Sequence, residues 1–79
     1  MTESKNKPVD QIRDGSLTVS IWANPSEHGL RYSVELSRSY LDKDEKWHTT
    51  SYLSNGEILR GSRLLTLAYD RILQLKSNG

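Results

Sequence analysis

The sequence predicts an α+β domain of order ββββα, in which one C-terminal helix packs on one face of an antiparallel sheet. Three observations predict this fold. Residues 16–23 and 30–40 alternate apolar and polar side chains, with the period of two that a half-buried strand shows. Short polar turns separate these stretches from two further strand-like segments. Residues 54–77 repeat apolar side chains with the period of an amphipathic helix instead.

Length and composition limit the classes of protein that fit. The chain has 79 residues, of which 34% are hydrophobic and 27% are charged, and its formal net charge is +1. We divide it into a disordered tail over residues 1–8 and a single ββββα domain over residues 9–79. The balance of charges excludes a polybasic nucleic-acid-binding tail. The lack of cysteine excludes a disulfide-stapled secreted domain and a thiolate metal site.

The sequence also predicts where in the cell the protein is located. The sequence contains no apolar run of membrane-spanning length and no signal-peptide pattern at its start. We therefore expect a cytoplasmic protein that does not associate with a membrane.

The first two strands are predicted to form a hairpin. Residues 9–13 make a short strand, and Asp14 and Gly15 then occupy the centre of a type I′ turn, which requires positive φ at both positions. In the strand over residues 16–23, Leu17, Val19 and Ile21 share one face. Trp22 then lies on the opposite face.

The second long strand covers residues 30–40, after a turn-rich loop over residues 24–29. Pairing Ile21 with Tyr32 aligns Val19 with Val34 and places all the apolar side chains on one face. A slip by one residue would expose one apolar set to water, and this favours the register.

A third long strand is predicted over residues 47–53, after the charged turn at residues 42–45. Its alternation is weak, so two alternatives stay open. Trp47 and Leu53 point toward the core in one, and Tyr52 does so in the other.

The helix is predicted over residues 54–77. Ser54 and Glu57 form a capping-box pattern at its start. Gly61 lies within the apolar stripe and would allow a close approach to the sheet. The residues of the predicted stripe are Ile58, Leu65, Ala68, Ile72 and Leu75, with Leu64 and Tyr69 at its edges.

Three leucines fall outside that stripe, namely Leu59, Leu67 and Leu73. A domain of this length is only marginally stable alone, and no disulfide supports it. We therefore expect a homodimer with these leucines in its interface.

The catalytic inventory is small. The chain has two histidines and no cysteine, and it shows neither a glycine-rich phosphate loop nor a serine placed in a nucleophile elbow. We predict that the protein is not an enzyme and that it uses no cofactor and no metal.

Aromatic and basic side chains suggest nucleic-acid binding instead. Aromatic rings on an open sheet face can stack on the bases of a single strand, while cations meet its phosphates. The same aromatic residues could also belong to the core or to a dimer interface. The residues predicted to bind nucleic acid are Trp22, Arg31, Arg38, Lys46, Trp47 and Tyr52.

Several segments resemble a group of short, uncharacterised bacterial proteins. They are the segments of sequence IRDGSL (residues 12–17), IWAN (21–24), YSV (32–34), SRSY (37–40), DKD (42–44) and KW (46–47).

More distantly, the chain resembles the single-stranded-DNA-binding domain of the transcriptional coactivator positive cofactor four. The likeness rests on residues 34–36, Tyr40, the charged turn, and Lys46 with Trp47. It implies a ββββα dimer, formed largely through its helices, that binds single strands with Lys46 and Trp47. This chain has residues 48–52 where that family has a basic stretch, so we expect weaker binding.

Two functions are therefore predicted. The first is a small protein that binds single-stranded DNA or RNA with little sequence specificity. The alternative is a homodimeric protein-interaction module without nucleic-acid affinity, which binds a protein partner through a sheet edge or its outward leucines.

Overall fold

The structure, a computed structural model, describes residues 7–78. Its elements are β1 (Asp10–Asp14), β2 (Leu17–Ser26), β3 (Gly29–Leu41), β4 (Trp47–Thr50) and α1 (Asn55–Asn78). The strands form one antiparallel sheet in the order β1-β2-β3-β4. The predicted α+β fold of order ββββα is confirmed. Of the tail predicted over residues 1–8, the first six residues lie outside the described part of the chain.

The turn between β1 and β2 differs from the prediction. Asp14 pairs with Leu17, so the loop consists of Gly15 and Ser16 rather than Asp14 and Gly15. Gly15 has a φ of +64°, whereas Ser16 does not have a positive φ. Positive φ at the first loop residue alone fits a type II′ turn, so the predicted type I′ turn is wrong.

The register between β2 and β3 is also two residues from the prediction. Ile21 faces Val34 rather than Tyr32, because only Glu27 and His28 remain in the loop. The Ser26 hydroxyl donates a hydrogen bond to the Gly29 carbonyl at 2.6 Å and closes this turn. A shift by an even number of residues leaves every side chain on its predicted face.

The core lies between β2 and the helix. Leu17, Val19 and Ile21 are fully buried against Leu64 and Ala68. Trp22 lies on the other face of the sheet and is half-buried, so its predicted orientation is confirmed.

The predicted helix stripe is correct in part: Ala68 is buried and Ile72 packs against the core, but the helix is rotated so that two other predicted residues are exposed. Ile58 and Leu65 were expected to be buried, but they are 55% and 41% exposed, and Leu64 takes the central position.

The helix lies over β2, where Leu64 packs against the buried residues of that strand. Arg60 and Arg71 also form ion pairs with β1 on this side, but exposed pairs contribute little to stability.

The predicted helix start is confirmed. The Ser54 N–H donates to Glu57 Oε1 at 2.9 Å, and the Glu57 N–H donates to the Ser54 carbonyl at 2.9 Å. The hydroxyl of Ser54 donates to the same carboxylate oxygen at 3.0 Å. The Ser54 N–H is the largest cause that lowers the pKa of Glu57 below its ordinary value.

Two features of the strands and the helix are important for function. β4 ends at Thr50 and pairs only with residues 38–41 of β3, so residues 29–37 have no neighbouring strand on that side in the described chain. Within residues 7–78, no helix combines the length and the apolar character needed to cross a membrane.

Candidate nucleic-acid interface

The sheet has one face against the helix and one open face, which we call the outer face. Side chains alternate between the two faces along each strand, and paired residues share a face. The buried residues of β2 therefore identify the face of every other strand residue. Nearly half of the side chains on the outer face are small and hydroxylated, serine or threonine. Its larger or charged residues are Gln11, Arg13, Trp22, Arg31, Glu35, Leu41 and Trp47.

An open groove crosses one end of the outer face. Trp47, at 70% exposure, lines it together with Arg13. The groove has a volume of about 450 Å³, and its other lining residues are Gly15, Ser16, Thr18 and Ser39. Because these four residues are small, they leave the indole ring of Trp47 and the guanidinium group of Arg13 accessible.

Trp22 and Arg31 lie toward the other end of the outer face. Trp22 pairs with Ser33, and Trp47 pairs with Leu41. Ser33 and Leu41 are separated along β3 by about 26 Å, at roughly 3.3 Å per residue. The two tryptophans therefore cannot stack on neighbouring bases, and each serves its own end of the face.

Charges are distributed differently on the two faces. Three ion pairs lie beside the helix: Arg60 with Asp14 at 3.2 Å, Arg38 with Glu57 at 3.2 Å, and Arg71 with Asp10. The hydrogen bond from Arg60 is the largest cause that lowers the pKa of Asp14 below its ordinary value. Arg13 and Arg31 on the outer face have no carboxylate partner among residues 7–78.

Arg38 does not share a face with the tryptophans. It pairs with Leu17, which assigns it to the helix side. There its Nε donates to the Tyr52 carbonyl at 3.1 Å, and its guanidinium carbon lies 5.5 Å from the centroid of the Tyr40 ring. These contacts hold Arg38 between the sheet and the start of the helix.

Lys46 belongs to the loop between β3 and β4, which Asp42 organises. Oδ1 of Asp42 accepts the N–H of Asp44 at 2.8 Å and that of Lys46 at 2.9 Å. Oδ2 lies 2.6 Å from Nε2 of His48, whose ring stacks on Tyr40 at 5.2 Å between centroids. The Lys46 N–H and then His48 are the main causes that lower the pKa of Asp42. This network fixes the backbone on both sides of Trp47.

The end of β4 settles the alternatives left open by the sequence. Trp47 lies on the outer face, whereas Leu53 packs against the core. Tyr52 is 81% exposed and follows the strand rather than belonging to it. Inward Leu53 is therefore right and inward Trp47 is wrong, because alternation stops at Thr50.

Arg13 was not among the predicted site residues. It pairs with Thr18 and lines the same groove as Trp47. A signal was present in the sequence, because Arg13 follows Ile12 by one position and a strand alternates its faces. The residue was missed because the first strand is short and has a single central apolar side chain.

The leucines predicted for a dimer interface are exposed to different extents. Leu59 is 81% exposed, Leu67 is 38% and Leu73 is 45%. Around the helix, Leu59 and Leu73 are about 40° apart, whereas Leu67 is about 120° from Leu73. Leu59 and Leu73 therefore share a side of the helix, and Leu67 stands apart from them.

Comparison with protein-family models, with curated proteins and with solved structures finds no match to this chain. Within residues 7–78, no group of three histidine, aspartate or glutamate side chains is placed to hold a metal ion. Function is therefore inferred from the side chains and their placement.

Proposed function

We propose that this protein binds single-stranded nucleic acid, DNA or RNA, on the outer face of its sheet, without catalysis. The observation that carries the proposal is the groove that Trp47 and Arg13 share. An exposed indole ring can stack on any base, and a guanidinium group without an acidic partner can meet the adjacent phosphate.

The remainder of the outer face supports binding with little sequence choice. Thr18 and Ser39 leave the ring of Trp47 accessible without building a pocket around one base. Trp22 and Arg31 offer a second stacking position at the other end. Stacking is tolerant of sequence because every base has an aromatic face.

Few phosphates are neutralised in this arrangement. Arg13 and Arg31 lie on the face, and Lys46 is exposed beside Trp47. Two or three phosphate contacts to a single strand predict a slope of about −1.5 to −2 in a plot of log affinity against log salt.

The test is a fluorescence-anisotropy titration of labelled single-stranded and double-stranded oligonucleotides, at about 50 mM and about 200 mM salt. We expect the single strand to bind more tightly. Trp47→Ala should weaken binding by about fivefold or more, since stacking on one base contributes about 1–3 kcal/mol. Arg13→Ala should also reduce the salt dependence.

Matched controls lie on the helix. Tyr69→Ala and Arg63→Ala remove an exposed aromatic ring and an exposed arginine away from the outer face, and they should leave binding unchanged. If no single strand binds at the lower salt, or if Tyr69→Ala weakens binding as much as Trp47→Ala does, the proposal is wrong.

A protein-interaction module is the second candidate function. The observation that favours it is the apolar surface that the helix leaves uncovered, where Leu30 is 57% exposed, Leu65 41% and Tyr69 62%. This candidate predicts no oligonucleotide affinity, so the same titration separates the two.

A further inference from the structure

The free edge of β3 carries hydrogen-bonding groups without partners. The Ser39 N–H donates to Ser16 of β2 at 2.9 Å, so odd-numbered residues of β3 direct their backbone groups toward β2. Even-numbered residues direct theirs to the opposite side, because backbone direction alternates along a strand. Along residues 29–37 that side has no neighbouring strand within the described chain. The residues whose N–H and C=O groups face this edge are Leu30, Tyr32, Val34 and Leu36.

This edge lacks three of the features that commonly prevent strand addition, although it carries two charged residues, Arg31 and Glu35. Residues 29–37 contain no proline and no lysine, and their pairing with β2 runs without a bulge. Natural proteins commonly protect long, flat edges with such features. An edge of this length without these three features is suited to accept another strand.

We infer that the edge is occupied by β3 of a second copy of this chain, antiparallel and centred on Ser33. Ser33 is the midpoint of the free stretch, so the two edges pair along their whole length. A two-fold axis at this position places Val34 opposite Tyr32 of the second copy, and Leu30 opposite Leu36. The backbone groups that face the edge then meet one another directly, and the two sheets become one sheet of eight strands.

Charge complementarity selects a second copy and this register. Centring on Ser33 places Arg31 opposite Glu35 of the second copy, and Glu35 opposite its Arg31. Such non-hydrogen-bonded positions bring Cα atoms to about 4.5 Å and side chains into contact. Shifting the centre by one residue in either direction would place Arg31 opposite a serine instead.

The apolar surface near the edge fits the same arrangement. Leu30 is 57% exposed and Val34 is 39% exposed on the helix side of β3. On the helix, Gly61 packs against Leu36 of β3, and Leu65 follows Gly61 by one turn on the same side. The uncovered flank of the helix therefore lies on the side of the free edge, where the second copy would cover it.

This inference does not depend on nucleic-acid binding. In the dimer, Arg31 pairs with Glu35 of the second copy near the two-fold axis. The grooves of Trp47 and Arg13, one per copy, stay open at the two ends of the enlarged outer face. Phosphate contacts would then come mainly from Arg13 and Lys46.

The first test is sedimentation of the full chain and of the Val34→Pro variant. The Val34 N–H faces the edge, so proline removes an edge donor without breaking the pairing with β2. Proline also replaces the partly buried valine side chain and fixes φ, so circular dichroism of the variant checks that it folds. We expect a dimer for the parent and a monomer for the variant, with circular dichroism unchanged. A monomeric parent at about 100 μM, or a dimeric and folded variant, would overturn the inference.

The second test reverses the charges and does not depend on proline. Arg31 and Glu35 are exposed and lie about 13 Å apart along their own strand, so they do not form an ion pair with each other within one copy. Arg31→Glu alone and Glu35→Arg alone should each weaken the dimer by about tenfold, because each places like charges opposite one another. The double variant should recover the parent affinity. Failure of the double variant to recover would exclude this register.

Discussion

Gly61 determines how closely the helix approaches the sheet. It is buried, and a β-carbon at this position would lie 2.9 Å from Leu53 Cδ1 and 3.0 Å from Leu36 Cδ2. Glycine inside a helix costs about 1 kcal/mol relative to alanine. That cost is offset here by the close contact of the helix with β3 and with the segment that follows β4.

Replacing Gly61 tests this contact. Gly61→Val should lower the free energy of unfolding by about 1–3 kcal/mol, because a branched side chain overpacks the site. Urea denaturation measures the change. Gly56→Ala is the control, since a β-carbon at Gly56 would meet no atom within 4 Å. An unchanged midpoint for Gly61→Val would show that the helix does not approach so closely.

The ionised carboxylate of Asp42 makes the stability of the fold depend on pH. Hydrogen bonds from the Lys46 N–H and from His48 hold the pKa of Asp42 below its ordinary value of 3.8. A lowered pKa in the folded state means that the charged carboxylate stabilises the fold above pH 3.8. This stabilisation is lost as the pH falls through the lower, folded-state value.

Asp42→Asn should therefore be less stable than the parent near neutral pH, and the difference should shrink as the pH falls below 3.8. Urea midpoints over a pH series measure both effects. Asp44→Asn is the control, because the Asp44 carboxylate accepts no hydrogen bond from residues 7–78. A difference that stays constant with pH would contradict the role given to the ionised carboxylate.

Single residues of the candidate site were predictable only where alternation applied. Trp22 was placed on the outer face correctly, since it lies within a long alternating strand. Arg38 was grouped with the tryptophans, although alternation from Leu36 already places it on the helix side, where it forms an ion pair with Glu57. That ion pair joins residues distant in sequence, so no local pattern predicts it.

The helix carries two adjacent apolar stripes, and only one of them packs against the sheet. Leu64 is 2% exposed, whereas its neighbour Leu65 is 41% exposed. Periodicity alone cannot choose between such stripes, because both have the helical period. The close approach at Gly61 and the packing of Leu64 against β2 determine which stripe is buried. The ion pairs of Arg60 and Arg71 with β1 accompany that packing.

The rotation of the helix has a direct test. Leu64→Ala should lower the free energy of unfolding by about 2–5 kcal/mol, as for other buried leucines. Leu65→Ala should cost less than about 1 kcal/mol in the monomeric Val34→Pro background. Urea denaturation of both variants compares the two positions. Equal losses would contradict the rotation, and a larger loss for Leu65→Ala would favour the predicted stripe.

The strands were predictable in type but not in extent. The faces of β2 and β3 follow from alternation, which an error of two residues leaves unchanged. The length of the loop between β2 and β3 determines the register of these two strands. Pro25 suggested a longer loop, but it lies in β2 beyond the end of β1, where its missing N–H leaves no strand partner unsatisfied.

Across the whole molecule, the two faces of the sheet have different roles. The helix-side face holds the core and the ion pairs, while the outer face holds two tryptophans and two arginines without acidic partners among residues 7–78. The order of elements and the buried residues of β2 follow from the sequence. The groove does not, because its lining residues include Arg13 of β1 and Trp47 of β4, which belong to opposite edges of the sheet.

The ion pairs between helix and first strand also have a consequence for synthesis of the chain. Arg60 and Asp14 are 46 residues apart, and Arg71 and Asp10 are 61 apart. The side chains that cover Leu17, Val19 and Ile21 come from Leu64 and Ala68, near the end of the described chain. The four strands therefore leave the ribosome before the residues that cover their apolar face, and the core closes only after translation of the helix.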